Sequence, residues 1–156
     1  MSEIANYQVF PKHVGHWEGT VRFLDAQLQE TKHYKINQEF AAVAGKWVIT
    51  NTYGFADGTS LTHSFDVIPT GKGQVEVHST EARFSETRMK AGEYGEDTVI
   101  FQVINSTTGH IQESETITLI QENSAALPQK RVRTAQLFQP DGVFKGLLVI
   151  EERRIS

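Results

Sequence analysis

Hydrophobic and polar residues alternate along most of this chain, and turn residues interrupt the alternation about every 10 to 15 positions. An alternation with a period of two indicates β-strands that bury one face and expose the other. The pattern predicts strands at 16–25, 31–42, 46–55, 59–68, 74–82, 84–91, 97–104, 110–121, 130–139 and 143–154. No stretch carries the period of a long amphipathic helix, so we expect an all-β fold.

Turn signals separate the predicted strands, among them Ala56-Asp57-Gly58 and Gly142 after Pro140-Asp141. Such residues supply the backbone angles that tight hairpins require. A meander of this kind leaves two unpaired strand edges, and closure into a barrel removes both. We therefore predict a single domain over residues 1–156, an up-and-down antiparallel β-barrel of about 8–10 strands, with 1–14 as a short N-terminal cap.

Composition and charge exclude several classes of partner. The 156 residues are 38% hydrophobic and 22% charged, which is typical of an ordinary globular protein. The net charge of -4 and the pI near 5.8 provide no basic surface for nucleic acid or an anionic membrane, so we expect neither partner.

The chain has no cysteine, which excludes disulfides, a thiolate nucleophile and a thiolate metal site. Its start has no signal-peptide pattern, and no apolar run approaches the roughly 20 residues that span a bilayer, so we expect a cytoplasmic protein. The six histidines are scattered over different predicted strands, which argues against a metal site. No cofactor is expected.

The period of two also assigns the inward face of several strands. Three predicted strands combine large apolar residues with a few polar ones on the same face. Those faces carry Tyr34, Ile36, Gln38 and Phe40; Trp47, Ile49, Asn51, Tyr53 and Phe55; and Leu61, His63, Phe65 and Val67. We expect these side chains to point into the barrel.

The eighth predicted strand places two carboxylates among core positions, because Glu113 and Glu115 share a face with Ile117. An unpaired buried carboxylate costs several kcal/mol, so each must be paired, protonated or exposed at the barrel mouth. Arg131 and Arg133 on the next strand could supply a partner. The pattern does not decide which face of strand 130–139 is inward, the one with these arginines or the alternate one.

A group of mixed charges follows the fifth and sixth predicted strands. It comprises Glu81, Arg83, Glu86, Arg88 and Lys90. The simplest interpretation is a solvated outer face of the sheet.

Gly15-His16-Trp17, at the start of the first strand, resembles the G-x-W signature of the lipocalin and calycin superfamily. In that superfamily the tryptophan closes one end of the barrel under an arginine from the last strand, a place that Arg153 or Arg154 would take here. The segments 131–138, 142–144 and 150–153 are similar to a cyanobacterial lipocalin-like group of uncharacterised barrels and bilin lyases. The resemblance implies a lipocalin-like barrel that holds a ligand.

Two functional hypotheses follow. A binding protein would hold a small, mainly apolar or aromatic molecule, whereas an enzyme would perform acid/base chemistry, as an isomerase, cyclase, decarboxylase or lyase, on an aromatic or polyene-like substrate. The candidate catalytic residues are His63, Glu115 and Glu113. The candidate ligand-binding residues are Tyr34, Gln38, Trp47, Asn51, Tyr53, Leu61, Phe65 and Arg133. A third hypothesis is a homodimer through a free strand edge.

Overall fold

Ten antiparallel strands close into one barrel in the computed structural model, which describes residues 2–122 and 127–156. Each strand pairs with its neighbours in sequence, and the last strand pairs with the first. The strands are β1 Gly15–Asp25, β2 Glu30–Val43, β3 Lys46–Gly54, β4 Ser60–Gly71, β5 Gln74–His78, β6 Thr87–Tyr94, β7 Thr98–Asn105, β8 Ile111–Ile120, β9 Lys130–Phe138 and β10 Phe144–Arg154. The predicted all-β, up-and-down barrel is confirmed.

Helical structure is confined to short segments: α1 Ser2–Ala5, α2 Phe10–His13 and a 3-10 turn at Ala82–Phe84. Within residues 2–122 and 127–156, no helix has the length and apolar character needed to cross a membrane. Because every one of the ten strands has two paired neighbours, the free strand edge on which the homodimer hypothesis depended is missing from the described barrel.

Strand alternation determines which side chains face the interior. On β1, Trp17 and Val21 are buried while Glu18 and Arg22 are exposed. β9 follows the same rule, and its buried face is the one with the arginines: Arg131, Arg133 and Ala135 point inward, whereas Thr134 and Gln136 point outward. The structure thus shows which face of β9 points inward, a question that the sequence pattern did not decide.

The connection between β5 and β6 departs from the predicted strands at 74–82 and 84–91. Ser79 Oγ accepts the backbone N–H of Glu81 at 3.1 Å, and Thr87 Oγ1 donates to the carbonyl of Phe84 at 2.7 Å. Such local bonds compete with sheet pairing. They end β5 at His78 and delay β6 to Thr87.

The segment before β1 packs against the inner core at one end of the barrel. Ile4, Val9 and Phe10 are buried there in one cluster with Trp17. The carboxylate of Glu93 on β6 accepts the backbone N–H groups of residues 8, 9 and 10, at 3.2 Å for residue 8 and 2.8 Å for residue 10. These N–H groups start α2 and have no partner within the helix, so Glu93 anchors the segment to the sheet.

Trp17 lies between two guanidinium groups. Its ring is completely buried, and Arg131 and Arg154 each lie 4.3 Å from the ring centroid. Its Nε1 donates to the carbonyl of His13 at 3.0 Å. Arg153 instead points outward and pairs with Glu122 at 3.0 Å, so Arg154 is the terminal arginine that covers the tryptophan.

We predict that Trp17→Ala lowers the free energy of unfolding by about 3 to 5 kcal/mol, because it opens a cavity and removes the surface on which two cations rest. Urea unfolding followed by far-UV circular dichroism measures the loss. Tyr94→Ala, at an aromatic residue that is 52% exposed, is the matched control and should change stability little. An unchanged stability of Trp17→Ala would contradict the assigned role of this residue.

Candidate functional site

The barrel encloses a cavity of about 1020 Å³, a volume that suits a small organic molecule. The lining side chains of β5, β6 and β7 are all apolar, and apolar residues of β3 and β4 continue this wall beside Asn51 and His63. That wall includes Ile49, Val67, Val77, Met89, Phe101 and Val103. The opposite wall, built by β8, β9 and β10, carries charged groups, so the cavity has an apolar side and a polar side.

Nearly all of the candidate site residues meet in this one cavity. Its lining includes Tyr34, Gln38, Asn51, Tyr53, Leu61, His63, Phe65, Glu113, Glu115 and Arg133. Trp47 differs, since it packs on Phe40 with 5.6 Å between ring centroids and belongs to the core at the barrel end rather than to the lining.

A network of two arginines and two glutamates crosses the polar wall. Arg133 Nε donates to Glu115 at 2.9 Å and its Nη1 lies 3.4 Å from Glu152. Arg131 Nε donates to Glu152 at 2.7 Å. None of the four side chains is more than 8% exposed, and their formal charges cancel. Charges can persist in such a place only when they are paired, which explains why Glu115 occupies a core position.

Arg131 extends this network across the cavity floor. It donates to Gln38 on β2, and Gln38 Nε2 donates to Asn51 on β3 at 2.8 Å. Its Nη1 also lies 3.0 Å from Nδ1 of His13, which must accept because arginine can only donate. Burial, and secondly the charge of Arg131, lowers the pKa of His13 well below its ordinary value, so this imidazole is neutral.

Glu113 lies beside the network without being part of it. Among the described residues its carboxyl group has no hydrogen bond or ion pair, although Glu115 lies two positions along the same face. Burial, reinforced by the charge of Glu115, raises the pKa of Glu113 to about 8. At neutral pH this side chain is therefore mostly a neutral acid that faces the cavity.

His63 is held by aromatic rings and by the turn after β5. Its ring lies 5.8 Å from that of Tyr53 and 5.9 Å from that of Phe84. Its Nε2 lies 3.4 Å from Nη1 of Arg83 and 3.7 Å from Oε1 of Glu81. Burial lowers the pKa of His63, so the imidazole is neutral at pH 7.

Among the described residues, His63 has no hydrogen bond or ion pair with Glu113 or Glu115, since Glu115 binds Arg133 and His63 contacts Glu81. The ring of Tyr53 lies 5.8 Å from that of His63. Burial raises the pKa of Tyr53 to about 12. The charge of Arg133 acts to lower this pKa, and the charge of Glu115 acts to raise it. The phenol is therefore a neutral donor.

Sequence reasoning missed several site residues. Glu81 and Arg83, which the sequence placed on a solvated outer face, both contact His63 around the 3-10 turn, although Arg83 is exposed as expected. Glu152 shares a face with Ile150 on β10, so strand parity could have found it. His13 precedes the first strand, and no pattern in the sequence marks it.

Comparisons with known proteins agree with this architecture. The chain matches the family described as "Domain of unknown function (DUF3598), N-terminal" over residues 3–156. The crystal structure of a DUF3598-family protein of unknown function from Nostoc punctiforme is similar, with a TM-score of 0.65, 16% identity, and coverage of 93% of this chain and 48% of that chain. This chain thus spans about half the length of the Nostoc protein.

The structure of an S-type phycobiliprotein lyase from Guillardia theta is also similar, with a TM-score of 0.63 and 9% identity, over 94% of this chain and 90% of that chain. At these identities the likeness shows the fold alone. No curated protein matches the sequence. The expected resemblance to a group of uncharacterised barrels and bilin lyases is confirmed at the level of the fold.

We predict that Glu113 makes a contribution to stability that is lost as the pH rises between 4.5, the ordinary pKa of a glutamate, and about 8, its raised pKa. The folded state keeps a proton on Glu113 that the unfolded chain releases, so this contribution is complete below 4.5 and is lost as the pH rises through about 8. His13 and His63, whose pKa values burial lowers, contribute with the opposite sign below their ordinary pKa of 6.5. Glu113→Gln should therefore make the melting temperature fall less steeply, or rise more steeply, with pH than it does in the parent. Glu86→Gln, at an exposed site, is the control. Equal slopes for the parent and Glu113→Gln would refute the assignment.

Proposed function

We propose, from the premise that this chain belongs to the DUF3598 N-terminal family, that it binds a small, mainly apolar organic molecule inside its barrel. The observation that carries the proposal is the cavity of about 1020 Å³ with one apolar wall and one wall of internally paired charges. Apolar surface gives the ligand its affinity, and a few fixed polar groups orient it.

The rigidity of the polar wall supports binding. Arg133 and Arg131 are already held by Glu115 and Glu152, so these side chains lose little freedom when a ligand arrives. The fold likeness to a phycobiliprotein lyase supports ligand binding or a lyase-type function and favours a pigment-like molecule of the bilin class as the occupant.

Two probes test this proposal: biliverdin, followed by its absorption, and neutral N-phenylnaphthylamine, followed by its fluorescence. We expect saturable binding of both. Ala91→Phe, which fills the cavity from β6, should weaken binding by at least about tenfold, because the ring occupies space that the ligand needs.

Ala42→Phe, at an exposed position on β2, is the matched control and should bind as the parent does. Thermal melting of both variants verifies that each is folded. If neither probe binds saturably, or if the folded Ala91→Phe variant binds both probes as well as Ala42→Phe does, the cavity is not a binding site and the proposal is wrong.

A second candidate function is acid/base catalysis, and the neutral carboxyl group of Glu113 is the observation that favours it. A protonated glutamate that lines the same cavity as Tyr53 and His63 is suited to deliver a proton to an aromatic or polyene-like substrate. The reaction would be an isomerisation, cyclisation, decarboxylation or lyase step. Glu115, whose two oxygens both accept from Arg133, then acts as a positioning residue rather than in proton transfer.

For catalysis we predict that Glu113→Gln and His63→Gln each slow conversion by at least about 100-fold, because each removes a proton-transfer group. The assay incubates the protein with biliverdin and with polyene acids and follows absorption and product mass. The rate for the parent should fall above about pH 8 as Glu113 ionises. Glu86→Gln should keep the parent rate. Absence of conversion by the parent, or full activity of both variants, rules out the enzymatic function.

A further inference from the structure

The open end of the cavity lies opposite α2, where the hairpins after β1, β3 and β9 meet. Cavity-lining residues at this end come from the beginnings of β2, β4 and β10 and from the turn after β5. Three of them are cationic: Lys32, Arg83 and Lys145. Within residues 2–122 and 127–156, none of these three has a carboxylate within ion-pair distance.

Carboxylates at this end are engaged elsewhere. Glu30 binds Arg22 at 2.6 Å, and Glu81 contacts His63 rather than Arg83. Glu113 is mostly protonated at neutral pH because burial raises its pKa to about 8. The paired arginines deeper in the barrel balance their own glutamates. Because His63 is neutral, it does not offset the charge of Glu81, but Glu81 is not within ion-pair distance of Arg83. The three cations of the open end therefore outnumber the carboxylate beside them.

Arg83 is held in a defined position. Its guanidinium lies 4.9 Å above the ring of Phe84, and its Nη1 is 3.4 Å from Nε2 of His63. Burial raises the pKa of both Tyr34 and Glu113, and the charge of Arg83 opposes this rise only as a minor effect. A stacked, planar guanidinium with free donors fits a carboxylate or a similar oxyanion.

We propose that Arg83, positioned by His63 and Phe84 and assisted by Lys32 and Lys145, forms an anion subsite at the open end of the cavity. The ligand is then an organic anion, with an apolar body inside the barrel and its acidic group at the mouth. This inference rests on the proposed binding function and specifies the class of ligand. The apolar wall would bind the apolar body of the ligand, and the three unpaired cations would bind its acidic group.

The test compares two probes that share one aromatic body. Anilinonaphthalene sulfonate carries an anionic group, and N-phenylnaphthylamine lacks it. We expect the parent to bind the sulfonate more tightly, and added sodium chloride to weaken its binding more than that of the neutral probe, because salt screens charge but not apolar contact. Parinaric acid and its methyl ester repeat the comparison with a carboxylate.

Arg83→Gln should lower the ratio of sulfonate affinity to neutral-probe affinity by about tenfold, and combining it with Lys32→Gln and Lys145→Gln should remove the preference. Arg88→Gln is the matched control, because this exposed arginine on β6 is only five positions away and lies outside the cavity lining. It should keep the parent ratio. All four substituted residues are exposed, so each variant should still fold.

The outcomes separate the two proposals. A parent that binds both probes equally, or a ratio that falls as much in Arg88→Gln as in Arg83→Gln, overturns the anion subsite while the neutral probe still demonstrates a binding cavity. If neither member of either probe pair binds, the binding function itself fails and the subsite fails with it.

Discussion

The buried pairing of Arg131 and Arg133 with Glu152 and Glu115 is the constraint on which the rest of the barrel depends. The arginines lie on β9, between the strands that carry the glutamates, so the network ties β8, β9 and β10 together. A shift of one residue in the register of any of these strand pairs would turn a charged side chain outward. Its partner would then remain in the interior as an unpaired charge. Such a shift is far more costly than the loss of an apolar contact.

The same network determines the shape of the cavity. Arg131 connects the charged wall to the floor by stacking on Trp17 and by donating to Gln38, so the polar groups are concentrated on one side. The lining side chains of β5, β6 and β7 are apolar. Because the four network charges cancel, they contribute rigidity rather than net attraction, and Glu113, outside the pairs, is free to hold a proton.

The alternation of polar and apolar residues along each strand predicted most of this arrangement, because each side chain of a closed barrel points either into the barrel or out of it. It placed Asn51, His63 and Glu115 inside. It left the inward face of β9 undecided, because the buried arginines give both faces a similar mixture of polar and apolar residues. It was wrong at 79–86, where Ser79 and Thr87 bind the local backbone in place of a neighbouring strand. Pairing across the barrel, such as that of Arg131 with His13, depends on three-dimensional closure and leaves no periodic signal.

Glu93 anchors the start of α2 and so closes one end of the barrel within residues 2–122 and 127–156. To leave past α2, a guest molecule would have to break the contacts of Glu93, the hydrogen bonds of Tyr7 to β4 and β5, and those of Arg154 to residues 12 and 14. Because several contacts would have to break together, we expect this end to open rarely. At the hairpin end the cavity lining includes exposed side chains such as Lys32 and Lys145. For the part of the barrel that the structure describes, we therefore expect a ligand to enter and leave between the hairpins, and the side chains there to influence the rate of its release.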